Sequence, residues 1–375
     1  MRATIPQPQF LKGLQIVERA VNDRSAMPIL SMVLVEAKGQ GLRVAATDLD
    51  VGIQCQLPLA ESIEEGAVAL PARRLSTLIR ELPDEPITLE SKKNHTATLM
   101  CGASQFRLPG LPVEDFPIFP SVEPGARVEL PEASLRNLIT RTAFAMSMEE
   151  TRFVLNGAQL SLQGASATLV ATDGRRLALA RTTLSQPAPA PLQAILPSKT
   201  VRELGRLLQH ETTEPVSIIP LRDNQLVFQF SDVAITTRLV EGQFPAYEAV
   251  IPAPVPTTLT CSRHLLANAV RRASLMTTAA SQAVLFELTE QRLTISKETA
   301  EFGSAREELP ARYHGEAMAV AFNPEFWLDV LKVLEGEELT VEIASPEKPA
   351  VIRLPADANA SGPDFLYVVL PMKLA

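Results

Sequence analysis

The residues that could carry bond-making chemistry are few and scattered. The four histidines, His95, His210, His264 and His314, show no metal-ligand spacing. No CxxC, HExxH, G-x-S-x-G or phosphate-binding glycine loop occurs. The three cysteines, Cys55, Cys101 and Cys261, are far apart and odd in number, which predicts free thiols in a reducing compartment. Asp48 and Asp173 occupy matching Ala-Thr-Asp phrases. Two such acids could form a general acid–base pair or hold a metal. Their recurrence at one position in two separate segments argues instead for a turn closed by the Asp side chain. No catalytic residue, metal ligand or cofactor site is expected.

The other chemistry within reach is ionic contact with phosphate. At 100° per residue, Arg73 and Arg80 lie about 20° apart on one helix face, opposite Leu75, Leu78, Ile79 and Leu82. Lys199, Arg202 and Arg206 share a face opposite Val201, Leu204 and Leu208. Lys12, Gln15 and Arg19 repeat the pattern opposite Leu14, Val17 and Val21. An ordinary solvated helix face would mix its signs. Here basic residues dominate three faces in a chain of net charge −8. A further face, with Glu325, Asp329 and Lys332, breaks the pattern. Aromatic residues make up only 5% of the chain, too few to interleave as a stacking platform for single strands. The faces suit sequence-blind contacts to DNA or another polyanion.

Those faces belong to a repeated framework. Val68–Leu75, Ala194–Val201 and Val320–Trp327 each read as a short apolar strand, a Pro or Asn-Pro start signal and a helix. Pro71, Pro197 and Asn323 are spaced 126 residues apart. A second helix opens each unit, with Leu11 and Leu14, Leu135 and Leu138, and Leu266 and Ala269 in matching places. Glu114-Asp115-Phe116-Pro117 and Gly242-Gln243-Phe244-Pro245 end the first two units, and Pro-rich connectors follow. A period this long is no solenoid repeat; it predicts three whole domains, 1–122, 127–252 and 257–375. Each should run helix, strands, helix, strands, an α+β order.

Composition narrows the setting. With 46% hydrophobic and 21% charged residues, the chain is not mainly disordered. No run approaches the roughly 20 apolar residues of a membrane span. The opening Met1-Arg2-Ala3-Thr4-Ile5-Pro6 lacks the apolar stretch of a secretory signal. A cytoplasmic protein without membrane contact is expected.

The chain resembles the bacterial DNA polymerase III beta subunit family from end to end. The resemblance rests on Arg24 with Pro28-Ile29-Leu30, Thr47-Asp48-Leu49, Pro71-Ala72-Arg73, Leu155-Asn156-Gly157, Ala171 through Ala178, Phe244-Pro245 and Tyr367 through Leu374. It implies the DNA-clamp fold, three times per chain. Two chains would join head to tail as a ring, with helices inside around duplex DNA and sheets outside. It implies a non-catalytic processivity factor located with the bacterial nucleoid. Its partners would be the polymerase III catalytic subunit, the clamp loader, and other polymerases and repair proteins that carry short clamp-binding peptides. A clamp-fold scaffold mainly for repair is the alternative; an enzyme built on triplicated domains is a more distant one.

Family positions carry over residue by residue. The DNA-facing set would be Lys12, Arg19, Arg24, Arg73, Arg74, Arg80, Lys199, Arg202 and Arg206. A peptide pocket between the second and third domains would use Leu155, Thr172, Gly174, Arg175, Arg176, Leu177, Pro245, Val250, Val368, Val369, Leu370, Pro371 and Met372. The seam of the homodimer would use Phe106 and Leu108 on one edge, Leu275 and Met276 on the other. Two positions depart from the family: Ala249 stands where a basic residue is often found, and Arg175 where a His is often found. Glu149 is acidic on a loop where relatives can contact DNA, so it joins no DNA set.

Overall fold

The computed structural model describes residues 1–121, 127–149, 151–208, 214–354 and 364–373. His210 and Leu374 lie outside these. Among the described residues there are six α-helices: α1 Gln7–Val17, α2 Ala72–Glu81, α3 Glu132–Thr142, α4 Ser198–Leu207, α5 Arg263–Ser274 and α6 Pro324–Val333. Each follows directly on a strand, and the break is written in the sequence. Pro6, Pro71, Pro131 and Pro197 close the strands before α1 to α4. Proline cannot donate to a continuing ladder, and its fixed φ suits a helix start. Ser262 and Asn323 start α5 and α6 by accepting the backbone N–H of Leu265 (3.4 Å) and Glu325 (2.9 Å). The strand-to-helix step thus occurs six times, twice in each predicted repeat.

The chain divides into two compact units, residues 1–133 with 202–239, and residues 134–201 with 240–375. The first unit holds a five-stranded and an eight-stranded sheet. In the larger one, Val51–Pro58 from the first repeat pairs antiparallel with Val233–Arg238 from the second, Ile53 opposite Ile235. The second unit holds a twelve-stranded sheet, in which Arg176–Thr183 pairs antiparallel with Asp364–Val369, Leu177 opposite Val368. Sheets therefore run straight through the junctions between repeats.

In the first unit α1 packs on α2 and on the strands Gly41–Thr47 and Val51–Pro58. Phe10, Leu14 and Val17 of α1 and Leu75 and Ile79 of α2 are fully buried, and the Gln7 amide ties the helices together by donating to the Ile79 carbonyl at 2.7 Å. In the second unit α5 packs on α6. There Trp327 is enclosed by Phe286 and Phe322, with ring centroids 5.2 and 5.3 Å away.

The Trp327 indole N–H is buried without a hydrogen-bond partner. Its contribution is therefore packing alone. Trp327→Phe should cost no more than about 1.5 kcal/mol, as a near-conserving swap does, whereas Trp327→Ala should cost about 3–5 kcal/mol through the cavity it leaves. Urea denaturation followed by far-UV circular dichroism would separate the two.

Candidate functional site

The second unit carries a groove of ≈ 200 Å³ beside the Arg176–Thr183 and Asp364–Val369 pairing. One wall grows from the turn after Ser166–Thr172. The Thr172 hydroxyl donates to the Arg176 carbonyl (2.6 Å) and accepts from Gly174 N–H (3.1 Å). Asp173 Oδ1 accepts from the N–H groups of Arg175 (2.9 Å) and Arg176 (3.0 Å). Gly174 sits at φ +85°, where a side chain would be strained. Asp173 therefore closes a turn, and Asp48 Oδ1 does the same with Asp50 and Val51 N–H.

Arg176 is fixed more firmly than any neighbour. Its guanidinium donates to Asp173 (3.1 Å), to Asp329 on α6 (2.9 Å) and to the Phe144 carbonyl (2.6 Å). It also lies over the Phe326 ring at 4.5 Å. Burial pulls its pKa down, but the Asp329 hydrogen bond and nearby acids outweigh that and raise it overall. Burial also pushes the adjacent Tyr367 phenol far up. Arg176 is thus a permanent cation locked in place, while Arg175 is exposed.

The groove floor is apolar. Val170, Leu177, Leu179, Ile195, Phe244, Val351, Leu366 and Val368 form one buried cluster, with Val154, Val240, Tyr247 and Ile251 packed against it. Leu155, Thr172, Gly174, Arg175, Arg176, Leu177, Pro245, Val250, Val368 and Leu370 all line the groove. Val250 and Leu370 hold large exposed apolar surfaces, 59% and 42%. Such surface suits apolar anchors of a short partner segment. Ala246 and Tyr247, outside the set expected from the sequence, also line it. Their signal was the Phe244-Pro245-Ala246-Tyr247 phrase itself.

Three residues expected in the groove do not line it. Val369 is 1% exposed. Successive strand side chains point to opposite faces, so with Val368 in the groove cluster Val369 faces away, like Tyr367, which donates to the Phe326 carbonyl of α6. Pro371 and Met372 lie beyond the strand, half-buried, and Met372 N–H is held by the Ala321 carbonyl at 2.8 Å.

The basic residues are on the surface. Lys12, Arg19, Arg24, Arg73, Arg74, Arg80, Arg202 and Arg206 are exposed, and Lys199 is half-buried. Arg73 pairs with Asp23, and Arg206 with Glu203 at 2.8 Å. Lys12 and Arg206 meet at one cavity of ≈ 400 Å³ in the first unit. Helix α5 carries two further exposed arginines outside the expected set, Arg271 and Arg272, the second paired with Glu307 at 2.6 Å. On α6, Asp329 is spent on Arg176 and Lys332.

The four residues expected at a dimer seam differ among themselves. Leu275 is 68% exposed, at the end of α5, and Met276 and Phe106 are half-buried. Leu108 is 6% exposed and already packed inside its own unit. Burial pushes the Cys55 thiol up to about 11 and the Cys261 thiol up to about 12, so both stay protonated and unreactive. Among the described residues no three His, Cys, Asp or Glu side chains gather as a metal site.

The chain matches the N-terminal, central and C-terminal domains of the DNA polymerase III beta subunit over residues 1–120, 129–246 and 248–373. It is 31% identical over 374 residues to the beta sliding clamp of Pseudomonas aeruginosa, covering 100% of both chains. To that of Caulobacter vibrioides it is 33% identical over 382 residues, again covering 100% of both. It is similar in structure to the Pseudomonas aeruginosa sliding clamp bound to griselimycin, with a TM-score of 0.92, 32% identity and full coverage of both chains. For the Bacillus subtilis DNA polymerase sliding clamp the TM-score is 0.92 at 28% identity, also with full coverage.

Replacing Arg176 by Lys keeps one charge but loses the planar fork. Arg176→Lys should destabilise the chain by about 1–3 kcal/mol, because Asp173, Asp329 and the Phe144 carbonyl lose partners together. Arg175→Lys should stay within about 0.5 kcal/mol, as exposed substitutions do. Chemical denaturation of both variants makes the comparison.

Proposed function

The chain belongs to the DNA polymerase III beta subunit family, and we propose that it is a ring-forming processivity clamp that holds a replicative polymerase on duplex DNA. The observation that carries this reading is the ordered match of all three family domains across the chain, on a framework whose repeated helices present basic residues to solvent. The chain would act as a non-catalytic accessory subunit, with three clamp domains at 1–122, 127–252 and 257–375. A ring needs no tight grip on DNA, because closure provides retention. Lys12, Arg19, Arg24, Arg73, Arg74, Arg80, Lys199, Arg202 and Arg206 would supply weak, sequence-blind phosphate contacts that permit sliding. The groove at Leu177, Val250, Val368 and Leu370 would take short apolar segments of the polymerase, clamp loader and repair proteins in turn. These meetings would occur in the bacterial cytoplasm, on the nucleoid.

Two sheet edges support closure by a second copy. Ser104–Pro109 is an end strand of the five-stranded sheet. Gly303–His314 meets Thr258–Ser262 only through Ala311 to His314, so Gly303 to Pro310 has no strand on its other side among the described residues. Open edges invite strand pairing. Met276 is anchored next to the second edge, since its carbonyl accepts from the Thr299 hydroxyl at 3.1 Å. A head-to-tail joint would pair the two edges between chains and cover Phe106, Leu275 and Met276.

A loaded clamp should stay on circular duplex DNA in gel filtration and leave once the DNA is linearised. Release from both forms alike would overturn the ring reading. Arg73→Glu, Arg80→Glu and Arg202→Glu combined should weaken binding of any duplex sequence. The log–log salt slope should shrink by about 0.9 for each phosphate that is no longer neutralised. Leu275→Lys with Met276→Lys should turn the dimer into folded monomers in sedimentation, because a buried unpaired charge is costly.

A further inference from the structure

The groove beside Leu177 has a counterpart in the first unit. There Gly52 pairs with Thr236, as Leu177 pairs with Val368. Arg238 N–H donates to the Asp50 carbonyl (2.8 Å), as Leu370 N–H donates to the Arg175 carbonyl (2.9 Å). Thr47 and Asp48 make the same turn bonds as Thr172 and Asp173. Phe116-Pro117-Ile118-Phe119 stands where Phe244-Pro245-Ala246-Tyr247 stands in the second unit. At this position lies a cavity of ≈ 210 Å³, close in size to the groove's ≈ 200 Å³.

The chemistry of its wall is different. Val368 is replaced by Thr236, Leu370 by Arg238 and Arg175 by Asp50, and Gln225 joins them. Leu177 is replaced by Gly52, where a Cβ would come within 2.6 Å of the Phe119 ring. The missing side chain lets Phe119 settle on the strand as an apolar platform. Thr236 is 8% exposed, and its hydroxyl is buried without a hydrogen-bond partner. Orphaned buried hydroxyls are uncommon and call for a partner.

We propose that this cavity is a second docking groove, taking a peptide segment in which a side-chain carboxamide lies next to an apolar residue. A carboxamide both donates and accepts. It can give N–H to Asp50 and accept from Arg238 or Gln225; the Thr236 hydroxyl, which has no accessible surface of its own, joins when the side chain turns about χ1 toward the cavity it lines. A carboxylate would be opposed by Asp50 and a cation by Arg238, whereas a purely apolar anchor would leave all four groups unpaired. The apolar neighbour packs on Phe119. The inference rests on reading the Leu177 groove as a peptide site, since it borrows that site's geometry.

The two grooves carry separate methyl reporters, Thr236 and Val368. The chain, methyl-labelled at Thr and Val, would be titrated with capped Phe-Gln-Leu and capped Phe-Leu-Leu tripeptides and followed by NMR. The Gln peptide should shift Thr236 saturably; the Leu peptide should shift Val368 and leave Thr236 in place. Thr236→Val copies the other groove's residue and removes the orphaned hydroxyl without changing shape. It should weaken the Gln peptide about tenfold, read at the Thr47 methyl, as loss of one buried hydrogen bond does, and should not lower the melting temperature. An unmoved Thr236, equal shifts from both peptides, or unchanged affinity in Thr236→Val would overturn the proposal. An unmoved Val368 with the Leu peptide would instead count against the peptide reading of the first-described groove, and Thr236 would still decide this one.

Discussion

The structure depends on backbone hydrogen bonds that cross from one repeat to the next. Val51–Pro58 with Val233–Arg238, and Arg176–Thr183 with Asp364–Val369, join strands far apart in sequence into continuous sheets. A strand end left unpaired at either place would expose a row of donors and acceptors and invite aggregation. Pairing removes that hazard and fixes which side chains of each partner face which way. It also leaves a hollow beside each junction. There the turn at Thr47 or Thr172 meets the Phe-Pro phrase and the end of the paired strand. The candidate docking sites therefore lie where sheet continuity brings a turn up against the Phe-Pro connector.

Basic and apolar surfaces lie on different parts of the elements. Helices α2 and α4 bury one face, with Leu75 and Ile79 or Val201 and Leu204 in the core, and leave arginines and lysines on the other. The groove is made by strand ends and turns, with Leu177 and Val368 as its floor. A change in one of these surfaces need not disturb the other. Arg176 is the exception. Through Asp329 and Phe326 it ties the groove wall to α6, so that a residue in the wall is positioned by a helix.

Much of this was legible in the sequence, and the gaps have physical causes. The 126-residue period, the strand–proline–helix steps and the Thr-Asp turns were readable because local chemistry dictates them: proline stops a ladder, and Asp closes a turn. Nine of the residues that line the groove fall within the family phrases, and Val250 lies a few residues past Phe244-Pro245. Val369 was misassigned because its facing follows from register with Arg176, a partner 193 positions away in sequence. Leu108 looks like a seam residue in sequence, yet it is already buried within the single chain. The hollow beside Gly52 was invisible because a glycine carries no side-chain signal until its cross-strand neighbour is known.

The two junctions show which features the fold demands and which it leaves open. The turn is kept at both, although Leu49 must adopt φ +82°, where Gly174 sits at +85°. A non-glycine residue there costs about 1 kcal/mol or more. It is tolerated because Thr47 and Asp48 hold four turn bonds that set the start of the junction strand. Side chains that only line the hollow have diverged freely: Leu177 against Gly52, Val368 against Thr236, Leu370 against Arg238. Backbone geometry is common to both sites because sheet continuity requires it. Binding chemistry differs because nothing in the sheet constrains it. Duplication of a stable junction thus supplies a second hollow of the same size, whose wall is free to acquire a different ligand preference.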